Sequence, residues 1–490
     1  MKKIFLFVIL LSLISIHEEA YSQLEYSAFS SSGAGYSITS LSDYQCLGIN
    51  PANLGWSRDG HSWHLSFFEL GSSVYAEPLS KEQVRKDLFG GDAAEFPDFD
   101  QDPQVRMEAI EKFTHARLLG TASINLFGIS FQDEDIGGFA FSVRSRLHWN
   151  SKLNKTASRF LFLGYNDTTY FEILTDEDGE YGEAKVPERI SDLYNPSHLE
   201  HIWYNEYILG YGRNILMREN FSWYGGFALK YLQGYGMVYI DIDTDSEAIG
   251  YQALSPVYKV NYEGNPTPSE LRGDGLKTAG TGFGIDLGMS FIIHQKIKVG
   301  LAVNDIGSIN WDANVYEGRD PDLETIRSNG IDSYNIFSEA GNVISENSNI
   351  GVWNGLEELR IDLPTNLRIG ASYRFNNRWE AGTDFYYSLN DDVPGAYREP
   401  VFALGTKYEP VKWVQFSAGY VTGGQFKWAL PMGITFSPIN NRDTRWEIGI
   451  ATRDIASLFK QDNAIISYCM GLLRFGLGSM GNRDIPQGVQ

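Results

Sequence analysis

The sequence predicts an all-β fold, a 14-stranded antiparallel transmembrane β-barrel with an N-terminal periplasmic hatch and long acidic extracellular loops. Three observations carry that expectation. Apolar and polar residues alternate over segments of about ten residues bounded by turn residues. The connections between those segments alternate between short and long. A leader at the start of the chain marks it for export.

The leader comes first in order. Met1-Lys2-Lys3 precedes the apolar run Ile4–Ile16, and Ala20-Tyr21-Ser22 follows as a small-residue cleavage site, so residues 1–22 read as a signal peptide. The apolar run is too short to cross a bilayer as a helix, which takes about 20 residues. No cysteine stands at the cleavage point, which argues against a lipid anchor. No later run is long and apolar enough for a transmembrane helix, yet aromatic residues make up 14% of the chain and glycines number 50. A membrane barrel reconciles these facts, because only every second residue must face lipid. A net charge of −22 argues against nucleic acid as a partner and against a basic lipid-binding patch. The two cysteines, Cys46 and Cys469, are too few for a disulfide framework, and spacing does not say whether they pair.

The strand pattern is explicit in several places. In LRIGASYRF, Leu367, Ile369, Ala371, Tyr373 and Phe375 share one face, and Arg368, Gly370, Ser372 and Arg374 share the other. Across the turn, Trp379, Ala381, Phe385, Tyr387 and Leu389 oppose Glu380, Gly382, Asp384 and Ser388. Phe283, Ile285, Leu287 and Met289 likewise oppose Gly284, Asp286 and Gly288, and FKWALPMGITF over 426–436 reads as one further strand.

Fourteen strands are expected, near 61–76, 118–131, 136–150, 201–213, 221–240, 279–293, 297–311, 365–375, 378–389, 401–409, 413–421, 425–437, 445–454 and 464–478. The turns after the even-numbered ones are all short, whereas 77–117, 151–200, 241–278 and 312–364 are long connections. That asymmetry puts both chain ends in the periplasm of a Gram-negative outer membrane and the long loops outside. Residues 159–174 also resemble a strand; making them span would break the alternation, so they read as a hairpin extension above the membrane. The boundaries are then a hatch over 23–60, a barrel over 61–478 and a tail over 479–490.

Candidate functional residues follow from this layout. Asp286, Arg368, Arg374, Glu380 and Asp384, with Glu206, Lys230 and Lys427, fall on the lumen face, where they line a polar channel or pair with one another and with the hatch. Acidic residues crowd the long loops; Asp241, Asp243 and Asp245 imitate a calcium loop but lack its glycine and its closing glutamate. His61 and His64, and His198 and His201, are three apart, a spacing that puts strand side chains on opposite faces and disfavours a shared metal. No nucleophile–base signature stands out, so neither an enzyme nor a cofactor is expected. The loop aromatics Tyr334, Phe337 and Trp353 are candidate contacts for a protein partner.

Asn50-Pro51-Ala52, flanked by Gly48 and Gly55, precedes the first strand as backbone punctuation. With GTGFGIDLGMSF at 280–291 and KVGLAVNDIGSINW at 298–311, the chain resembles the FadL superfamily of outer-membrane barrels. That group comprises the long-chain fatty acid transporters and their PorV-type relatives in Bacteroidota secretion. The resemblance implies an N-terminal hatch carrying Asn50, Pro51 and Ala52 inside a fourteen-stranded barrel. It implies passive uptake of hydrophobic or amphipathic cargo through a hatch-gated barrel set in outer-membrane lipid, or else docking of a secretion or cell-surface protein.

Overall fold

The computed structural model describes residues 29–88, 102–242, 248–260, 266–334, 352–397, 399–424, 426–459 and 464–480. Its wall is a closed ring of fourteen antiparallel strands: β1 (His61–Ala76), β2 (Arg117–Asp133), β3 (Gly137–Lys152), β4 (His198–Arg218), β5 (Phe221–Asp241), β6 (Gly280–Ile293), β7 (Ile297–Trp311), β8 (Asn366–Asn376), β9 (Trp379–Ser388), β10 (Val401–Val411), β11 (Val414–Gly423), β12 (Met432–Asn440), β13 (Thr444–Thr452) and β14 (Ala464–Ser479). Each pairs with the next. The ring closes where β14 pairs with β1, from His61↔Ser479 to Ala76↔Ala464. Closure removes the unpaired strand edges that hydrocarbon cannot tolerate.

The outer face is greasy where the sequence alternates. Phe283, Ile285, Leu287 and Met289 on β6 are exposed, whereas Asp286 between them is 0% exposed. Trp63, Phe375, Trp379, Tyr408 and Trp413 are exposed around the short-turn rim, the position of an interfacial aromatic girdle. An apolar exterior around a charged interior is the arrangement of a barrel that spans a membrane.

Two local expectations need correction. The expected strand over 425–437 is broken into Phe426–Ala429 and Met432–Asn440. Pro431 has no N–H for the ladder, and the Leu430 N–H leaves it to bond Asp454 Oδ1 at 3.1 Å. Residues 159–174 do not span, but their first part is the end of a helix, Lys155–Leu163, capped by Asn154 Oδ1 accepting from Ala157 N at 2.7 Å. Only Phe171–Asp176 is a strand; it joins Gly179–Arg189 and Asp322–Ile326 in a separate three-stranded sheet.

The long connections are not merely solvated acidic loops. Phe160, Phe171, Ile190, Leu193, Tyr194, Leu323 and Ile326 form one buried cluster above the barrel, and Ala109, Ile110, Phe113, Phe162 and Leu163 belong to another. Arg106 Nη1 donates to the carbonyls of Phe162 at 2.8 Å and Asn329 at 3.0 Å, tying three connections into one folded cap. Tyr334 is buried there, stacked 6.1 Å from Phe113, so its ring is not free for a partner. Trp353 is half-buried, and Phe337 lies outside the described residues.

Candidate functional site: the plugged lumen

The segment before β1 lies inside the ring. Residues 29–56 fold as a short helix, Phe29–Ser32, and two 3-10 turns, Tyr44–Cys46 and Pro51–Gly55. Ile38, Leu41, Tyr44, Leu47, Ile49 and Leu54 gather into a buried cluster against Ala140, Ile208, Ala228 and Ala302 of the wall. Cys46 belongs to this cluster while Cys469 packs with Phe29 and Ala451; both are free thiols.

Asn50 bonds both to its own turn and to the wall. Its Oδ1 accepts from Ala52 N at 3.2 Å, capping the turn that Pro51 begins, and its Nδ2 donates to Met289 O and Ser290 Oγ of β6, both at 3.0 Å. Gly48 sits at φ +75°, a left-handed conformation that favours glycine. Gly55 presses on Arg213 and Tyr224, where an added Cβ would stand 2.8 Å from both. The wall makes room in the same way: a Cβ at Gly226 on β5 would lie 2.6 Å from the Pro51 and Ala52 backbones. The sequence shows inward glycines, but not that they form a seat for the hatch.

Charged side chains fasten the plug. Asp384 accepts from Ser37 N at 2.6 Å and Ile38 N at 3.0 Å, and Tyr36 donates to Glu380 at 3.2 Å. Glu380 also pairs with Lys298 at 3.3 Å and with Arg374 at 3.7 Å. Arg368 Nε donates to Asn366 at 3.3 Å and lies over the Tyr386 ring at 5.1 Å. Asp286 pairs with Lys230 at 2.8 Å, and Glu206 with Arg146 at 2.7 Å. The Lys427 side chain, Asp243 and Asp245 lie outside the described residues.

Two further members of this network stand outside the candidate lumen residues, for different reasons. Lys298 does share the inward face with Gly300 and Ala302, so its signal was present. Asp305 was hidden by a bulge: the β6–β7 register shifts between Val303 and Ile306, and Asp305 takes φ +60°. The bulge turns both Asn304 and Asp305 inward, and Asp305 meets Lys230 Nζ at 2.5 Å.

At the short-turn end, Arg474 of β14 pairs with Asp43 of the hatch and with Glu447. Burial pulls the Asp43 carboxyl upward, but the Arg474 guanidinium, with the Gln45 backbone N–H, holds it below the ordinary carboxylate range. A carboxyl that titrates lower folded than unfolded stabilises fully above the unfolded pKa; the contribution is lost as pH falls through the folded value. Hatch seating is therefore expected to loosen on acidification below the ordinary carboxylate range, and less so in Asp43→Asn. Limited proteolysis of residues 29–56 against pH measures this.

Above the hatch is a chamber with about 100 Å³ of room for water-sized molecules, lined by Arg146, His148, Tyr204, Asp305, Arg368 and Tyr386. Gly395 and Tyr397, from the connection after β9, roof it, held where Gly395 N donates to Glu200 at 2.9 Å. A cleft of about 490 Å³ at the long-loop rim, lined by Tyr239, Tyr251 and Arg360, shares Pro394 with the chamber. His198 and His201 have separate partners, Glu200 and Tyr258.

Ring, belt and internal plug define a membrane-spanning β-barrel obstructed by its own N-terminal segment. By sequence the chain belongs to a family described as a family of unknown function, DUF5723, whose model matches residues 86–441. No curated protein matches it. Among solved structures it is similar to a mutant of the TodX monoaromatic hydrocarbon channel, at 12% identity and a TM-score of 0.45, covering 93% of this chain and 99% of that one. The Pseudomonas putida toluene transporter TodX gives 11% identity and 0.41, covering 94% and 99%. A Pseudomonas aeruginosa FadL homologue gives 10% and 0.43, covering 94% and 99%.

Proposed function

We propose that the protein is an outer-membrane channel for amphipathic molecules, passive and gated by residues 29–56, with its short turns in the periplasm and its cap outside. The observation that carries this reading is the pairing of an obstructing hatch with a chamber directly above it. Arg146, Arg368 and His148 suit a polar or anionic head group, and Tyr204 and Tyr386 suit the adjoining apolar part. The chamber is smaller than the roughly 300–1,000 Å³ of typical ligand sites. It therefore fits a head group, and passage requires the roof and the hatch to move. A second reading, docking of a partner protein, draws on the exposed Ile173 and Val186 of the cap hairpin.

Tethering the hatch tests the channel reading. Asn53 Oδ1 and Ser290 Oγ are 2.5 Å apart, so the pair Asn53→Cys and Ser290→Cys is chosen for the tether, and formation of its disulfide is verified by gel shift before uptake is read. Oxidised cells are expected to take up a fluorescent amphipathic carboxylate more slowly than reduced cells, with no redox effect in wild type. Equal uptake in both states rejects gating by the hatch.

A further inference from the structure

We propose that Asp59, His61 and His64 form a binding site for a divalent transition metal of the zinc type, clasping the junction between hatch and barrel at the short-turn rim. The spacing argument against a shared metal fails here. His61 opens β1 directly after Gly60, which has φ +78°, and pairs with Ser479, next to Gly478 at φ +71°. It departs from the alternation, and its ring lies over bare Gly476, where a Cβ would stand 3.1 Å from His61 Cγ. His64 points inward from its ordinary strand position, and the two rings meet edge to face with centroids 6.2 Å apart.

The distances suit coordination. One ligand atom from each residue falls within 4.8 Å of the other two. Asp59 Oδ1 is 3.4 Å from His61 Nδ1 and 3.1 Å from His64 Nε2. Metal–ligand bonds of about 2.1 Å at tetrahedral angles put donor atoms roughly 3.4 Å apart. Two imidazoles and one carboxylate are a borderline donor set that suits zinc and its neighbours and leaves a further coordination position open.

Unmet hydrogen-bonding capacity points the same way. His61 is 3% exposed and His64 2%, yet His61 Nε2 and His64 Nδ1 have no hydrogen-bond partner among the described residues. His64 Nε2 reaches both Asp59 oxygens at 3.1 Å. The cation beside them is Arg445, with Nη1 3.6 Å from Asp59 Oδ2, and its charge is shared with Glu447 at 2.8 Å. Arg58, next to Asp59, donates to Ser40 O at 3.1 Å and Gln415 at 3.1 Å. A metal on Asp59 would thus fix the hatch's exit to the first strand of the barrel, whether or not the protein is a channel.

The test uses the full mature chain in detergent, carrying an affinity tag free of histidine, stripped with a chelator and titrated with Zn²⁺. Metal analysis after dialysis is expected to give one equivalent in wild type and in His294→Ala, and to raise the heat-unfolding temperature. Asp59→Asn, His61→Ala and His64→Ala are each expected to weaken binding by more than the ~10–100-fold that losing an outer-shell partner costs. Asp59→Asn preserves size and shape if an alanine variant does not assemble. Co²⁺ should give wild-type visible bands that Asp59→Asn lacks. Zinc content in wild type no higher than in the triple variant, or stoichiometric zinc in all three single variants, overturns the proposal.

Discussion

Lys230→Met is expected to cost the folded barrel on the order of 3–5 kcal/mol, the usual penalty for stranding buried charge. Lys230 is 2% exposed and joins Asp286, which is 0% exposed, to Asp305 on the inward bulge. Without the ammonium, two carboxylates face each other, and Asp286, at 0% exposed, has no access to water. Urea titration of the barrel in detergent micelles, read by tryptophan fluorescence, measures the loss. Adding Asp286→Asn and Asp305→Asn should recover most of it, because replacing all members of a buried ionic group is often nearly neutral. A midpoint for Lys230→Met equal to wild type would show that the trio does not hold the wall to the bulge.

Gly226→Val is expected to unseat the hatch. Its Cβ would stand 2.6 Å from the Pro51 and Ala52 backbones, and backbone cannot swing aside as a side-chain tip can. Overpacking costs typically ~1–3 kcal/mol. Since the clash falls between plug and wall, the plug should yield first, giving faster proteolysis of residues 29–56 and higher ion conductance in planar bilayers. Gly225→Val is the control: its Cβ meets only the side chain of Ile215, at 3.3 Å. Equal behaviour of the two variants would disconnect the glycine seat from plugging.

The sequence made the wall legible because period-2 alternation and turn residues are local signals. The strands at 61–76 and 297–311 need no tertiary information, and the observed ranges coincide with those expected. What escaped depends on single residues that override the period. Pro431 breaks a strand whose side chains still alternate. Asn154 caps a helix in an apolar run that reads equally well as strand, and recognising that cap would have found it. Asp305 turns inward at a bulge, and His61 is buried beside Gly60, whose backbone is left-handed. The inward faces of Asp286, Glu380 and Asp384 follow from alternation, but their partners do not: Lys230 lies on the wall strand before that of Asp286, and Tyr36 and Ser37 lie hundreds of residues from Glu380 and Asp384.

The closing strands of the ring also hold residues 29–43 in place. Phe29 packs against Ala451 and Cys469, and Arg474 grips Asp43. The beginning of the polypeptide therefore has no finished berth until its end has been made. Seating residues 29–43 and sealing the ring therefore draw on the same strand, since β14 both carries Cys469 and Arg474 and pairs with β1.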